Sequence, residues 1–113
     1  GYTIEKKEKS SYARHPNHDD ISFMDFAGGV LHTSRWLIGS EAKADPLVLL
    51  QWVNGLNGAA GASRYYLDDA NDMVIEGWFP TDYERVGYGR FIDAWNRDFQ
   101  KFVANEKTKT VLA

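Results

Sequence analysis

Apolar positions recur along this chain with two different periods. From Tyr88 onward they fall at Tyr88, Phe91, Ile92, Trp95, Phe99, Phe102 and Val103. Steps of three and four place these side chains in one stripe along a helix, and the stripe is largely aromatic. A shorter version of the spacing joins Leu49, Trp52, Val53 and Leu56. The start of that helix is well marked. Asp45 suits the N-cap, and Pro46 suits the first helical position, where no backbone N–H is needed. Gly58 is placed to end it in a left-handed cap. The later helix is announced by Thr81-Asp82-Tyr83-Glu84, the spacing of a capping box, so it begins near residue 82. Gly87 and Gly89 weaken its first turns.

The remaining segments alternate with a period of two, the signature of strands. Residues 2–13 do so weakly, through Tyr2, Ile4, Lys6, Glu8, Ser10 and Tyr12, and read as one charged edge strand. Residues 21–27 and 29–38 read as a hairpin about Gly28-Gly29, where glycine accepts positive φ. Ile21 and Phe23 oppose Met24 and Phe26; Val30, His32, Ser34, Trp36 and Ile38 oppose Leu31, Thr33, Arg35 and Leu37. Both faces carry apolar groups, which suits an inner hairpin covered on two sides. Residues 62–68 and 72–79 read as a second hairpin, with Tyr65, Leu67, Met73, Ile75 and Phe79 toward the core. Gly77 inside that strand predicts a bulge or a close approach, and Pro80 ends it. Residues 39–44 read as a linker, 58–61 as a flexible turn and 105–113 as a flexible C-terminal tail.

The order β-β-β-α-β-β-α predicts an α+β fold in one domain over residues 1–104: an antiparallel sheet of about five strands, with the helices packed on one face. Each helix shows a single apolar stripe, so the opposite sheet face stays free of helix. That face carries Tyr66, Val74 and Trp78, joined by some of Met24, Phe26, Leu31 and Leu37. Two readings stand: the face is a partner site, or the first hairpin or an upstream segment covers it. Tyr66, Val74 and Trp78 are the candidate protein-interaction residues.

Composition narrows the function. The chain has 113 residues, is 43% apolar and 14% aromatic, and carries a net charge of −3. A mildly acidic surface is ill suited to the phosphate backbone, so nucleic acid is not expected as a partner. No cysteine is present, which removes disulfides, thiolate metal sites and cysteine nucleophiles. No apolar run is long enough to span a bilayer, so no membrane partner is expected, and a cytoplasmic location is. His15 and His18 with Asp19 and Asp20 are metal-ligating types, but their spacing fits no metal motif and they read as a solvated loop. Gly58-Ala59-Ala60-Gly61 leads into a strand and lacks a following Lys, so it fails as a phosphate loop. His32 reads as a structural histidine. Asn54 and Asn57 read as caps and loop tethers. No catalytic, cofactor-binding or metal-binding residues are identified, and no cofactor is expected.

Trp52-Val53-Asn54-Gly55-Leu56-Asn57, Arg64-Tyr65-Tyr66-Leu67-Asp68 and Asp72-Met73-Val74-Ile75-Glu76 together resemble the YbjN-type bacterial domain. So does the amphipathic helix around Phe91-Ile92 and Trp95. The resemblance covers residues 45–103 and, more loosely, the hairpin at 21–38. It implies the type III secretion chaperone-like fold, from which these residues depart by lacking an initial helix, unless one precedes them. It also implies a non-enzymatic protein-interaction module, chaperone-like or regulatory, binding a protein partner or itself as a homodimer. By the same resemblance Asn54, Asn57, Arg64 and Asp68 hold the helix–strand junction. The alternative is a small ligand-binding domain or enzyme with an aromatic-lined pocket, to which His32, Glu76 or Asp93 supplies the polar group.

Overall fold

The structure, a computed structural model, describes residues 2–6, 10–16, 20–80 and 85–113. Its strands are β1 (Thr3–Lys6), β2 (Ser11–Arg14), β3 (Ile21–Phe26), β4 (Gly29–Trp36), β5 (Arg64–Leu67) and β6 (Met73–Pro80). They form one antiparallel sheet in the order β1-β2-β3-β4-β6-β5. The helices are α1 (Ser40–Lys43), α2 (Pro46–Ala59), α3 (Arg85–Ala104) and α4 (Glu106–Val111). The sheet has six strands, not about five. Residues 2–13 are not one edge strand but a hairpin, with Ile4 opposite Ala13 and Lys6 opposite Ser11. Alternation with a period of two looks the same before and after the chain reverses, so the pattern concealed the turn.

The next hairpin turns on Ala27-Gly28, one residue earlier than the glycine pair suggests. Both residues have positive φ, 50° and 77°, as a two-residue turn between twisted strands requires. Gly29 serves a different purpose. A Cβ there would overlap the Trp78 indole and the Phe79 carbonyl. The glycine pair therefore divides its work between a turn and a close approach.

Helix α2 starts as expected, with the Asp45 carboxylate accepting from the Val48 N–H at 3.4 Å and Pro46 at the first position. It buries Leu49, Trp52 and Leu56. It does not end at Gly58 in a left-handed cap: it runs to Ala59 and leaves through Ala60 in an extended conformation. Side chains from elsewhere tie down this end, so the local glycine signal is not needed. Lys101 of α3 donates to the Ala59 carbonyl at 2.9 Å. The expected linker contains the single turn α1, whose Lys43 pairs with Asp72 at 3.0 Å.

The aromatic stripe of α3 lies on the same sheet face as α2. Phe102 is fully buried and meets Trp36, Trp52 and Tyr65 with ring centroids 5.4, 6.1 and 6.2 Å away. Gly77 of β6 is the close approach that the sequence suggested. A Cβ there would stand 2.9 Å from Phe91 and 3.1 Å from Trp95. The capping box at residues 81–84 lies outside the described residues.

The expected flexible tail is instead packed. Asn105 caps α4 by accepting from the Thr108 N–H at 3.1 Å, and Val111 is buried. The buried Thr108 hydroxyl accepts from the Trp52 indole N–H at 2.8 Å. Ile38 bridges Leu112, and the Gly39 N–H donates to the Val111 carbonyl at 2.8 Å. Polarity misled the expectation here, because a buried Thr with a partner looks in sequence like an exposed one.

Candidate functional site: the open sheet face

The pleat divides β6 into two sets. Met73, Ile75, Gly77 and Phe79 point toward the helices, while Val74, Glu76 and Trp78 point the other way. Register carries this division across the sheet. Trp78 stands beside Leu31, which stands beside Met24. One row along, Arg64, Glu76, Thr33 and Ser22 are neighbours, and in the next row Tyr66, Val74 and Arg35. The first hairpin therefore extends the sheet in its own plane rather than folding across it. The helices α2 and α3 both lie on the opposite side, against β5 and β6.

The apolar half of this face is exposed. Phe26 is 56% accessible, Trp78 46% and Met24 43%, unusual values for three large side chains so near one another. Trp78 is also fixed in place. Its ring lies on Gly29, and its indole N–H donates to the Phe26 carbonyl at 2.8 Å. A hollow of about 370 Å³ lies between Phe26, Leu31 and Trp78 on one side and Arg64 and Glu76 on the other.

The polar half neutralises itself. Glu76 is buried. It accepts from Arg64 at 2.9 and 2.5 Å and from the Tyr66 hydroxyl at 2.8 Å. Hydrogen bonding and charge attraction from Glu76 raise the Arg64 pKa above its usual value. Burial, followed by the hydrogen bond to Glu76, raises that of the Tyr66 phenol. The cluster joins a guanidinium, a carboxyl group and a phenol by hydrogen bonds. It offers charge and shape for recognition but no free base.

Two side chains hold β5 in position. Tyr65 lies on the free edge of that strand, and Asn57 satisfies it there as a neighbouring strand would. The Tyr65 N–H donates to the Asn57 side-chain oxygen at 2.8 Å, and the Asn57 amide donates to the Tyr65 carbonyl at 2.9 Å. The second is the buried Asp98 of α3, whose carboxylate accepts from the N–H groups of Gly61, Ala62 and Ser63 at 2.8 to 2.9 Å. Asp98 went unnoticed in the sequence. The signal was an acid one helical turn from Trp95 and Phe102, on the apolar stripe itself. Asp68 shapes the β5–β6 turn by accepting from Ala70 and Asp72, and it pairs with Arg35 at 3.4 Å. Asn54 is exposed on α2.

Of the three candidate contact residues, Trp78 is presented to solvent, and Tyr66 is half-buried and engaged with Glu76. Val74 has no accessible surface, so it can support a contact surface but cannot itself touch a partner. His32 and Asp93 lie on the helix side, apart from Glu76. His32 is fully buried. Its Nδ1–H donates to the Gly77 carbonyl at 3.2 Å, so its Nε2 accepts from the Tyr88 hydroxyl at 2.6 Å. Burial lowers its pKa, against the opposing pull of the carbonyl. His15 packs on the Tyr2 ring and Asp20 pairs with Arg14, while His18 and Asp19 lie outside the described residues. Among the described residues no three His, Asp or Glu side chains gather as metal ligands, and no helix is long and apolar enough to cross a membrane.

No family model and no curated protein matches this sequence. Solved structures do match the fold. YbjN of E. coli, proposed as a transcription regulator, aligns with 100% of this chain and 87% of its own at a TM-score of 0.77 and 12% identity. A chain of the heterodimeric complex ExoU-SpcU, from the type III secretion system of Pseudomonas aeruginosa, aligns over 84% of this chain and 80% of its own. Its TM-score is 0.63 at 15% identity. The protein has the YbjN-type, type III secretion chaperone-like fold that the resemblance implied.

Proposed function

We propose that this protein is a non-enzymatic interaction module that seats an apolar segment of a protein partner on the open face of its sheet. The observation behind this reading is the exposed set Phe26, Met24 and Trp78, with Trp78 fixed by its bond to the Phe26 carbonyl. A rigid aromatic ring loses little entropy when covered, and for that reason such rings concentrate binding energy. The Arg64–Glu76–Tyr66 cluster forms a polar rim on one side. The heterodimeric complex solved for a chain of the same fold is consistent with a partner-binding role. A second copy of this chain is the other candidate occupant of the same face.

The test uses a partner identified by mass spectrometry after capture and then purified. Its affinity is measured for the wild type, for Trp78→Asp and for Phe26→Asp. Both substitutions should weaken binding at least about tenfold, the loss typical of a contact at the centre of an interface. Phe26→Asp should leave the melting temperature unchanged, so it decides the matter if Trp78→Asp unfolds. Equal affinity of all folded variants would overturn the reading. Sedimentation of the wild type and of Phe26→Asp tests the second copy: a dimer lost in the variant would make self-association the function of this face.

A further inference from the structure

The helix side of the sheet is not filled evenly. Toward β1 and β2 the sheet and the first turns of α3 part, and a cleft of about 440 Å³ lies between them. Tyr2 stands at one end, where its hydroxyl bonds to Asn96 of α3 at 3.2 Å, and Tyr88 stands toward the other. Phe23 and Ile92 line the walls. His32 lies in the floor, with its Nε2 already engaged by Tyr88. Asp93 borders the cleft and is exposed, and no cation among the described residues lies within ion-pair distance of it.

We infer that this cleft is a small-molecule site for a ligand with a one-ring or two-ring apolar body and a single amino group. Three features favour a small molecule over a protein surface. The cleft is concave and set between two layers, its volume falls in the range of ligand pockets, and its polar groups are few. The chemistry selects the class. An apolar body covers Phe23 and Ile92, and the Asp93 carboxylate attracts a cationic head and repels an anionic one. His32 offers the ligand no contact, because it has no accessible surface and its Nε2 is already bonded to the Tyr88 hydroxyl. Discrimination therefore rests on Asp93. This site lies on the other side of the sheet from Trp78, so it stands or falls independently of the proposed protein contact.

Gly89 gives a clean way to close the cleft. It lies on α3 beside the opening, and a Cβ there would meet nothing within 4 Å. Gly89→Leu starts from an unobstructed Cβ and replaces a poor helix former with a good one, so it should fold. The probes are phenethylamine, phenylethanol and phenylpropionate, titrated into protein with labelled isoleucine methyls. Phenethylamine should shift the Ile21 and Ile92 signals saturably, and phenylpropionate should bind more weakly. Asp93→Asn should weaken the amine roughly fivefold, as befits an exposed ion pair. Gly89→Leu should abolish the shifts with no fall in melting temperature. Three results would overturn the inference. One is the absence of shifts at Ile21 and Ile92 up to about 10 mM probe. Another is equal binding of amine and carboxylate. The third is methyl shifts that follow protein concentration alone, which would make the cleft a contact between copies.

Discussion

The two faces of β6 use the same strand for opposite ends. On the helix side, Met73, Ile75 and Gly77 lie under Trp95 and Phe102, and even one methyl group at Gly77 would collide with the Phe91 ring. On the open side, Val74 and Glu76 are covered by their neighbours, and Trp78, next on the same face, is exposed. The comparison separates two uses of aromatic surface. Trp95 and Phe102 stabilise the fold because water is excluded from them. Trp78 retains much of its contact with water, so its remaining burial energy is available to a partner.

Replacing each tryptophan in turn measures that difference. Trp95→Ala should cost about 3–5 kcal/mol, since it empties a fully packed site. Trp78→Ala should cost about 1 kcal/mol, because the ring is only half covered and loses one hydrogen bond to a carbonyl. Urea midpoints read both. Equal losses would place Trp78 in the core and end the contrast between the faces.

The two buried carboxylates extend the contrast to polar groups. Asp98→Ala should cost about 3 kcal/mol, because three backbone N–H groups would lose one charged acceptor and the loop before β5 its anchor. Glu76→Gln should cost about 1 kcal/mol, since the amide oxygen still accepts from Arg64 and the site borders water. A larger loss at Glu76 than at Asp98 would reverse the ranking of the faces.

A pH dependence arises on the covered face. Burial holds the folded-state pKa of His32 below the unfolded value of 6.5, so the unfolded chain binds the proton more readily. The stability that His32 contributes is complete above about pH 6.5 and falls as the pH drops below it, by at most about 1.4 kcal/mol per pH unit. Around His32 stand Tyr88, Phe23, Phe91 and Trp95, and Asp93 lines the same cleft. Asp72 titrates lower. The Ile38 N–H and then Lys43 hold its pKa below 3.8, so its contribution persists until strongly acid pH. Urea midpoints between pH 5 and 7 should therefore decline for the wild type and stay level for His32→Gln. A decline that persists in His32→Gln would assign the proton to another group.

Much of this molecule was legible in one dimension, for reasons particular residues make plain. The stripe from Tyr88 to Val103 and the cap at Asp45-Pro46 are local signals, and both helices formed where those signals lay. The division of β6 into two faces followed from alternation alone, which is why Trp78 stood on the open side in both readings. What escaped were bonds between distant positions: Asp98 to Gly61 and Thr108 to Trp52, across 37 and 56 residues. Each is a polar residue whose burial is visible only once its partner is in place.

Period and capping are properties of short windows, so the sequence by itself determined the α+β order, the helix stripes and the identity of the apolar strand faces. Only the tertiary structure decided the sixth strand, the packed α4, the burial of Val74 and the separation of His32 from Glu76. Pairing, register and layer contacts join residues far apart along the chain. A polar side chain reads the same in sequence whether water or a buried N–H satisfies it, and only the folded chain shows which one does.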